Sequence, residues 1–137
     1  MPNKTYDRYL EAEVLNADPM KLVRLLYRGA IEATVAARRH LAFGAIRERS
    51  LQIMKAWRIL HELGQSLDHQ RGGEISPALA RLYAYMQTRL IEANTRQADG
   101  PLAEVESLLG KLCEAWQSVK PPPATEAGSY QPISCSY

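Results

Sequence analysis

The sequence predicts an all-α fold: an antiparallel four-helix bundle with a short N-terminal helical segment packed against it. Three observations carry that expectation. Ala and Leu outnumber Val, Ile and Thr about two to one; the former are strong helix formers, whereas β-branched residues lose rotamer freedom in helices and suit strands. The eight prolines fall at Pro2, Pro19, Pro77, Pro101, Pro121, Pro122, Pro123 and Pro132, leaving long uninterrupted stretches between them. Within those stretches apolar residues recur at alternating steps of three and four, the period of one helix face. A chain of 137 residues is the size of one domain, long enough to bury roughly two-thirds of its unfolded surface without disulfides or metals.

The elements follow in order. A short helical segment is expected at about 4–14. Asp18-Pro19 then pairs an N-cap residue with proline at the first helical position, where a missing N–H costs nothing. The helix it opens runs to about 43 and stops at Gly44, because glycine reaches the left-handed conformation without a Cβ clash. A second helix spans about 46–69, and Gly72-Gly73 separates it from a third, opened by Ser76-Pro77 and ending near 97. Gly100-Pro101 opens the fourth, to about 119, with Glu104 and Glu106 near its positive end. Residues 1–15 thus form an N-terminal segment, 16–119 the bundle, and 120–137 a Pro-rich tail expected to be disordered.

The last two helices each show a single seam. Leu102, Val105, Leu109, Leu112, Trp116 and Val119 trace one, and Leu79, Leu82, Tyr83, Met86, Leu90 and Ala93 the other. The first helix carries two apolar faces. At about 100° per residue, Leu22, Leu26, Gly29, Ala33 and Ala37 share the expected seam, and Tyr27, Ile31 and Val35 lie roughly opposite. In the second, Ile46, Ile53, Trp57, Leu60 and Leu67 define the seam, while Ala56, Ile59 and Leu63 widen it. A helix of a small bundle needs one buried stripe, so the surplus faces something else: the N-terminal Tyr6, Tyr9 and Leu10 folding back, a second copy, or a partner chain.

Other classes fit poorly. A net charge of +2 is too small a bias for nucleic acid or an anionic membrane. Arg38-Arg39 with Arg47 and Arg49 makes one basic region, but it lacks interleaved stacking aromatics apart from Phe43. No apolar run approaches a membrane span. Lys4, Asp7, Arg8, Glu11 and Glu13 interrupt any signal-peptide core, so a cytoplasmic protein is expected. His40, His61 and His69 lack the i, i+4 spacing of helical zinc pairs, and no Glu-x-x-His occurs. Cys113 reads as a small packed hydrophobe. No catalytic constellation emerges, so neither enzymatic activity nor a cofactor or metal is expected.

The ordered pattern of residues resembles the flagellar secretion chaperones of the FliS family. It comprises Tyr9 and Val14 ahead of Asp18-Pro19, then Leu22 through Gly29, and Lys55-Ala56 with Ile59 and Leu63. Ser66-Leu67-Asp68, Gly72-Gly73-Glu74-Ile75 and Leu82 through Met86 continue it, followed by Arg89-Leu90, Ala93-Asn94 and Glu114-Ala115-Trp116. Arg28, Trp57 and Ala45 depart from the family pattern, and Ala45 costs the second helix its cap. The resemblance implies a cytosolic bundle whose outer grooves accept the C-terminal segment of flagellin, with the loaded protein meeting the flagellar export gate. It makes Tyr6, Tyr9 and Leu10 a displaceable plug over part of the groove. The surplus stripe then supplies the expected client contacts: Tyr27, Ile31 and Val35 with Ile59, Leu63 and Tyr85. A monomer or weak homodimer is expected; the competing reading is a bundle that uses its apolar faces for homodimerisation, without a flagellin client.

Overall fold

The computed structural model describes residues 19–67, 73 and 75–118. The expected N-terminal segment, the Asp18 cap and the tail lie outside the described residues. The described residues form four helices: α1 (Pro19–Ala42), α2 (Ile46–Gln65), α3 (Ile75–Arg96) and α4 (Asp99–Ser118). Short connections at 43–45 and 97–98 force antiparallel neighbours. Each helix packs on the next, and α1 closes the ring against α4.

Local chemistry sets the ends. Gly44 adopts φ 71°, and Ala45 N–H returns to the His40 carbonyl at 2.9 Å, closing α1 as expected for a left-handed glycine. Ala45 makes no side-chain cap to α2. Two starts differ from the sequence expectation. α3 begins at Ile75, before Ser76-Pro77, and α4 at Asp99, before Gly100-Pro101. In both cases the proline still falls in the first turn, where its absent N–H leaves no broken bond. Asp99 also brings a carboxylate to the positive end of α4.

The core is made by Ile53, Leu60 and Leu63 of α2, Met86 and Leu90 of α3, and Leu102, Val105 and Leu109 of α4. Cys113 is buried with them. Besides Tyr27, the first helix contributes small residues, Ala30, Ala33 and Ala37, so α2 can approach it closely. A Cβ on Gly29 would stand only 3.2 Å from Ile59 Cδ1.

The expected seams of α3 and α4 hold where described, with Leu79, Leu82, Leu112 and Trp116 packed at their margins. Those of α1 and α2 need correction. The buried face of α1 is Tyr27, Ala30, Ala33, Thr34 and Ala37; of the expected seam Ala33 and Ala37 are buried and Leu26 packs at the margin, while Tyr27, expected on the opposite face, lies inside. That of α2 is Arg49, Ile53, Ala56, Leu60 and Leu63, and Ile46 is 56% exposed. Partners for polar atoms explain the face that α1 buries. Tyr27 Oη lies 2.7 Å from Tyr83 Oη across the bundle, and Thr34 Oγ1 donates to the Ala30 carbonyl at 2.8 Å. Burial pushes the Tyr27 phenol well above its ordinary range, with Tyr83 adding to the effect.

Because these hydroxyls satisfy each other, Tyr27→Phe or Tyr83→Phe leaves one buried hydroxyl without its partner, at about 1–3 kcal/mol. Tyr27→Phe/Tyr83→Phe removes both and is expected to cost clearly less than the sum. Thermal melts of the four proteins check this, and additive losses would show that the hydroxyls do not pair.

Candidate functional site

An open groove of about 640 Å3 runs along the outside of the α2–α3 seam. Its walls are Trp57 from α2 and Ala84, Gln87, Thr88, Ile91 and Thr95 from α3, with Glu92 and Arg96 at the rim. The α3 residues follow steps of three and four, so they share one face. From Ala84 to Thr95 that face extends roughly 16 Å, about three helical turns.

Many of the polar atoms here are already engaged within the protein. Gln87 Nε2 donates to the Trp57 carbonyl at 3.2 Å, and Thr88 Oγ1 to the Ala84 carbonyl at 3.1 Å. Glu92 accepts from Arg89 at 2.6 Å and from Arg96 at 3.2 Å. The Trp57 ring stacks on His61 with centroids 5.7 Å apart and planes 6° from parallel. What remains for a guest is mainly apolar surface: Trp57, Ala84 and Ile91, the last 43% exposed. Leu51 and Met54, on the same helix as Trp57, are exposed as well.

A smaller groove of about 410 Å3 lies between α1 and α4, lined by Val35, Arg38, Arg39, Ala42, Asp99 and Glu106. Arg38 staples it, donating to both Asp99 oxygens at 2.8 Å and to Glu106 Oε1 at 2.7 Å. On the α3–α4 side, Glu104 accepts from Tyr85 Oη at 2.7 Å and from Arg89 Nε at 2.6 Å. The hydrogen bond from Arg38 holds the Asp99 carboxyl below its ordinary range; those from Tyr85 and Arg89 do the same for Glu104.

A carboxyl depressed in the folded state stabilises above its unfolded pKa and loses that contribution as pH falls through the folded one. The ordinary values are 3.8 for Asp99 and 4.5 for Glu104, so the loss belongs to the acid limb below them. Arg38→Met removes the cause at Asp99. It is expected to lower stability at neutral pH and flatten the acid limb, with the two proteins converging near about pH 2. Denaturant titrations across pH check this, and parallel limbs would dissociate Asp99 from Arg38.

The structure separates the residues expected to form one stripe. Tyr27 and Leu63, each 2% exposed, belong to the core. Ile31 is half-buried against the core, and Val35 lines the α1–α4 groove. Ile59 meets Gly29, two residues and about 200° around α1 from Ile31. Tyr85 is 44% exposed on the α4 side of α3. Tyr6, Tyr9 and Leu10 lie outside the described residues. Trp57, expected in the α2 seam, packs on the core and also walls the groove, whereas Ile91 belongs to none of the expected seams. Ile91 lies off the α3 seam, one heptad after Ala84, and that spacing was the available signal.

Among the described residues no three His, Cys, Asp or Glu side chains group as a metal site, and no helix is long and apolar enough to cross a membrane. The architecture is that of a small helical bundle carrying an apolar groove on its outer surface. Residues 1–123 match the family described as flagellar protein FliS. The chain is 38% identical over 113 residues to the flagellar secretion chaperone FliS of Salmonella typhimurium, covering 82% of this chain and 84% of the relative. It is 39% identical over 110 residues to the flagellar secretion chaperone FliSB of Pseudomonas aeruginosa, covering 80% and 87%. With FliS of Bacillus subtilis the identity is 30% over 112 residues, covering 82% and 83%. The chain therefore belongs to the FliS family of flagellar secretion chaperones.

Proposed function

We propose that this chain is a cytosolic export chaperone that binds the disordered C-terminal segment of flagellin, prevents its premature polymerisation and delivers it to the flagellar export apparatus. The observation that carries this reading is the α2–α3 groove, whose length suits a three-turn amphipathic segment laid in as a helix. Covering that segment keeps it from contacting other flagellin subunits.

Magnitudes set the extent of the interface. Ordering a disordered client costs about 2–5 kcal/mol or more. Burying an anchor in the groove contributes about 1.5–3 kcal/mol, so Trp57 and Ile91 alone barely offset the ordering. A client held usefully must wrap further, and Ile31, Val35, Ile59 and Tyr85 are the outlying contacts we assign to it. Tyr6, Tyr9 and Leu10 form the plug that the client displaces.

Titration calorimetry of the full chain against the C-terminal segment of flagellin from the same organism tests this. One-to-one binding near or below micromolar, with a negative heat-capacity change from apolar burial, is expected. A folded protein that gives no heat and no co-elution would overturn the client assignment; concentration-dependent sedimentation would then favour a homodimerisation module.

A further inference from the structure

Arg49, part of the basic region noted in the sequence, is only 4% exposed. It sits in the first turn of α2, the positive end of its own helix, where a cation is unfavourable. Its guanidinium reaches across to the C-terminal turn of α3 instead. Nε donates to Asn94 Oδ1 at 3.0 Å and Nη1 to Gln97 Oε1 at 3.5 Å. Ser50 Oγ donates to the same Asn94 oxygen at 3.0 Å. No carboxylate pairs with Arg49 among the described residues, so amide oxygens and the negative end of α3 compensate the charge. Gln97 closes α3 at φ 53°, with Ala98 N–H returning to the Ala93 carbonyl at 3.1 Å. Arg49 thus ties down a residue whose Cβ disfavours that left-handed conformation.

A buried charge of this kind contributes little net stability, because desolvation offsets what its hydrogen bonds return. What it supplies is position. The apolar residues that α2 and α3 bury, Ile53, Ala56 and Leu60 with Met86, Leu90 and Ala93, recur every three or four residues. A slide of one turn, roughly 5.4 Å, brings similar side chains opposite one another. Gln87 does not forbid it, since its partner is the Trp57 carbonyl and a helix offers a carbonyl at every turn. Asn94 meets Arg49 and Ser50 in a single register, and the helix-end charge fades within the last turn. The groove depends on that register directly, because Trp57 stands on one helix and Ala84, Thr88 and Ile91 on the other.

We infer that Arg49 and Asn94 are positioning residues for client binding: their hydrogen bond fixes the register of α2 against α3 and so sets Trp57 opposite Ile91. The inference rests on the chaperone reading above for what the groove holds.

The test uses the full chain as wild type, Arg49→Met and Asn94→Asp. Arg49→Met removes the charge but leaves Asn94 its bond from Ser50, and is expected to melt within a few degrees of wild type. Asn94→Asp keeps an acceptor for both donors. Nuclear Overhauser contacts between the Trp57 ring and the side chains of Gln87, Thr88 and Ile91 report the register without any client. They should persist in Asn94→Asp and give way in Arg49→Met to contacts about one turn away. Affinity for the flagellin C-terminal segment, by calorimetry well below the melting midpoint, should fall about tenfold or more for Arg49→Met and stay within about twofold for Asn94→Asp. Wild-type contacts in Arg49→Met overturn the inference whatever its melting temperature. So does wild-type affinity from a displaced register, and so does an Arg49→Met chain that does not fold, which would make Arg49 a stability residue. Binding lost by Asn94→Asp with its contacts intact overturns it too, by placing Asn94 on the client surface. A wild-type chain that binds no segment sinks the chaperone reading, whereas unchanged contacts sink only the register, so the two failures read apart.

Discussion

Ile91→Asp is expected to reduce affinity for the flagellin C-terminal segment by about a hundredfold or more while leaving the melting temperature nearly unchanged. Ile91 is 43% exposed in the groove wall, so in the free protein an aspartate there stays hydrated. On binding, the client would strip that water from a carboxylate facing apolar surface, which costs several kcal/mol unless a partner is supplied. Each 1.4 kcal/mol is a factor of ten in affinity. Ile91→Val, which keeps the surface apolar, should bind within a few-fold of wild type. Val35→Asp is the matched comparison, because Val35 lies in the α1–α4 groove and is assigned only an outlying contact. Calorimetry and circular dichroism melts on the three variants check the set. If Val35→Asp abolishes binding and Ile91→Asp does not, the client's main seat is on the α1 side.

The prolines and glycines made the helix ends legible because each acts through its own backbone. Gly44 needed only its freedom at positive φ, and Pro77 and Pro101 only a first turn. The seams of α3 and α4 were legible because each helix carries one dominant apolar period. The first helix was not, since Leu, Tyr, Ile, Val and Ala surround it and a wheel cannot choose among overlapping faces. The choice rests on a pairing 56 residues apart, Tyr27 with Tyr83, which lets an aromatic hydroxyl go inside. The walls of the α2–α3 groove were hidden for a related reason. Whether Trp57 and Ile91 are covered depends on how far α2 overlaps α3, a property of two packed helices that neither period reports. The basic region was half legible: composition located it, but only packing showed which arginines are spent.

Leu63→Ala is expected to cost about 2–4 kcal/mol of stability, the range for emptying a leucine-sized volume in a packed core. In a bundle of roughly 100 residues that lowers the melting temperature by about 10–25 °C. Leu63 is 2% exposed and sits in the last turn of α2, where Ser66 Oγ donates to its carbonyl at 2.9 Å. The void therefore opens beside a helix end, which can fray further. Ile59→Ala, removing a half-buried side chain, should cost less. The effect on the client separates core from contact. If Leu63 acts only through the fold, calorimetry well below the melting midpoint should give an affinity within about twofold of wild type. Apparent affinity should then fall on warming in proportion to the folded fraction, since the client binds the folded state alone. A variant that melts like wild type yet binds no client would place Leu63 on the client surface after all, and would mean that the bundle opens at the end of α2 to admit it.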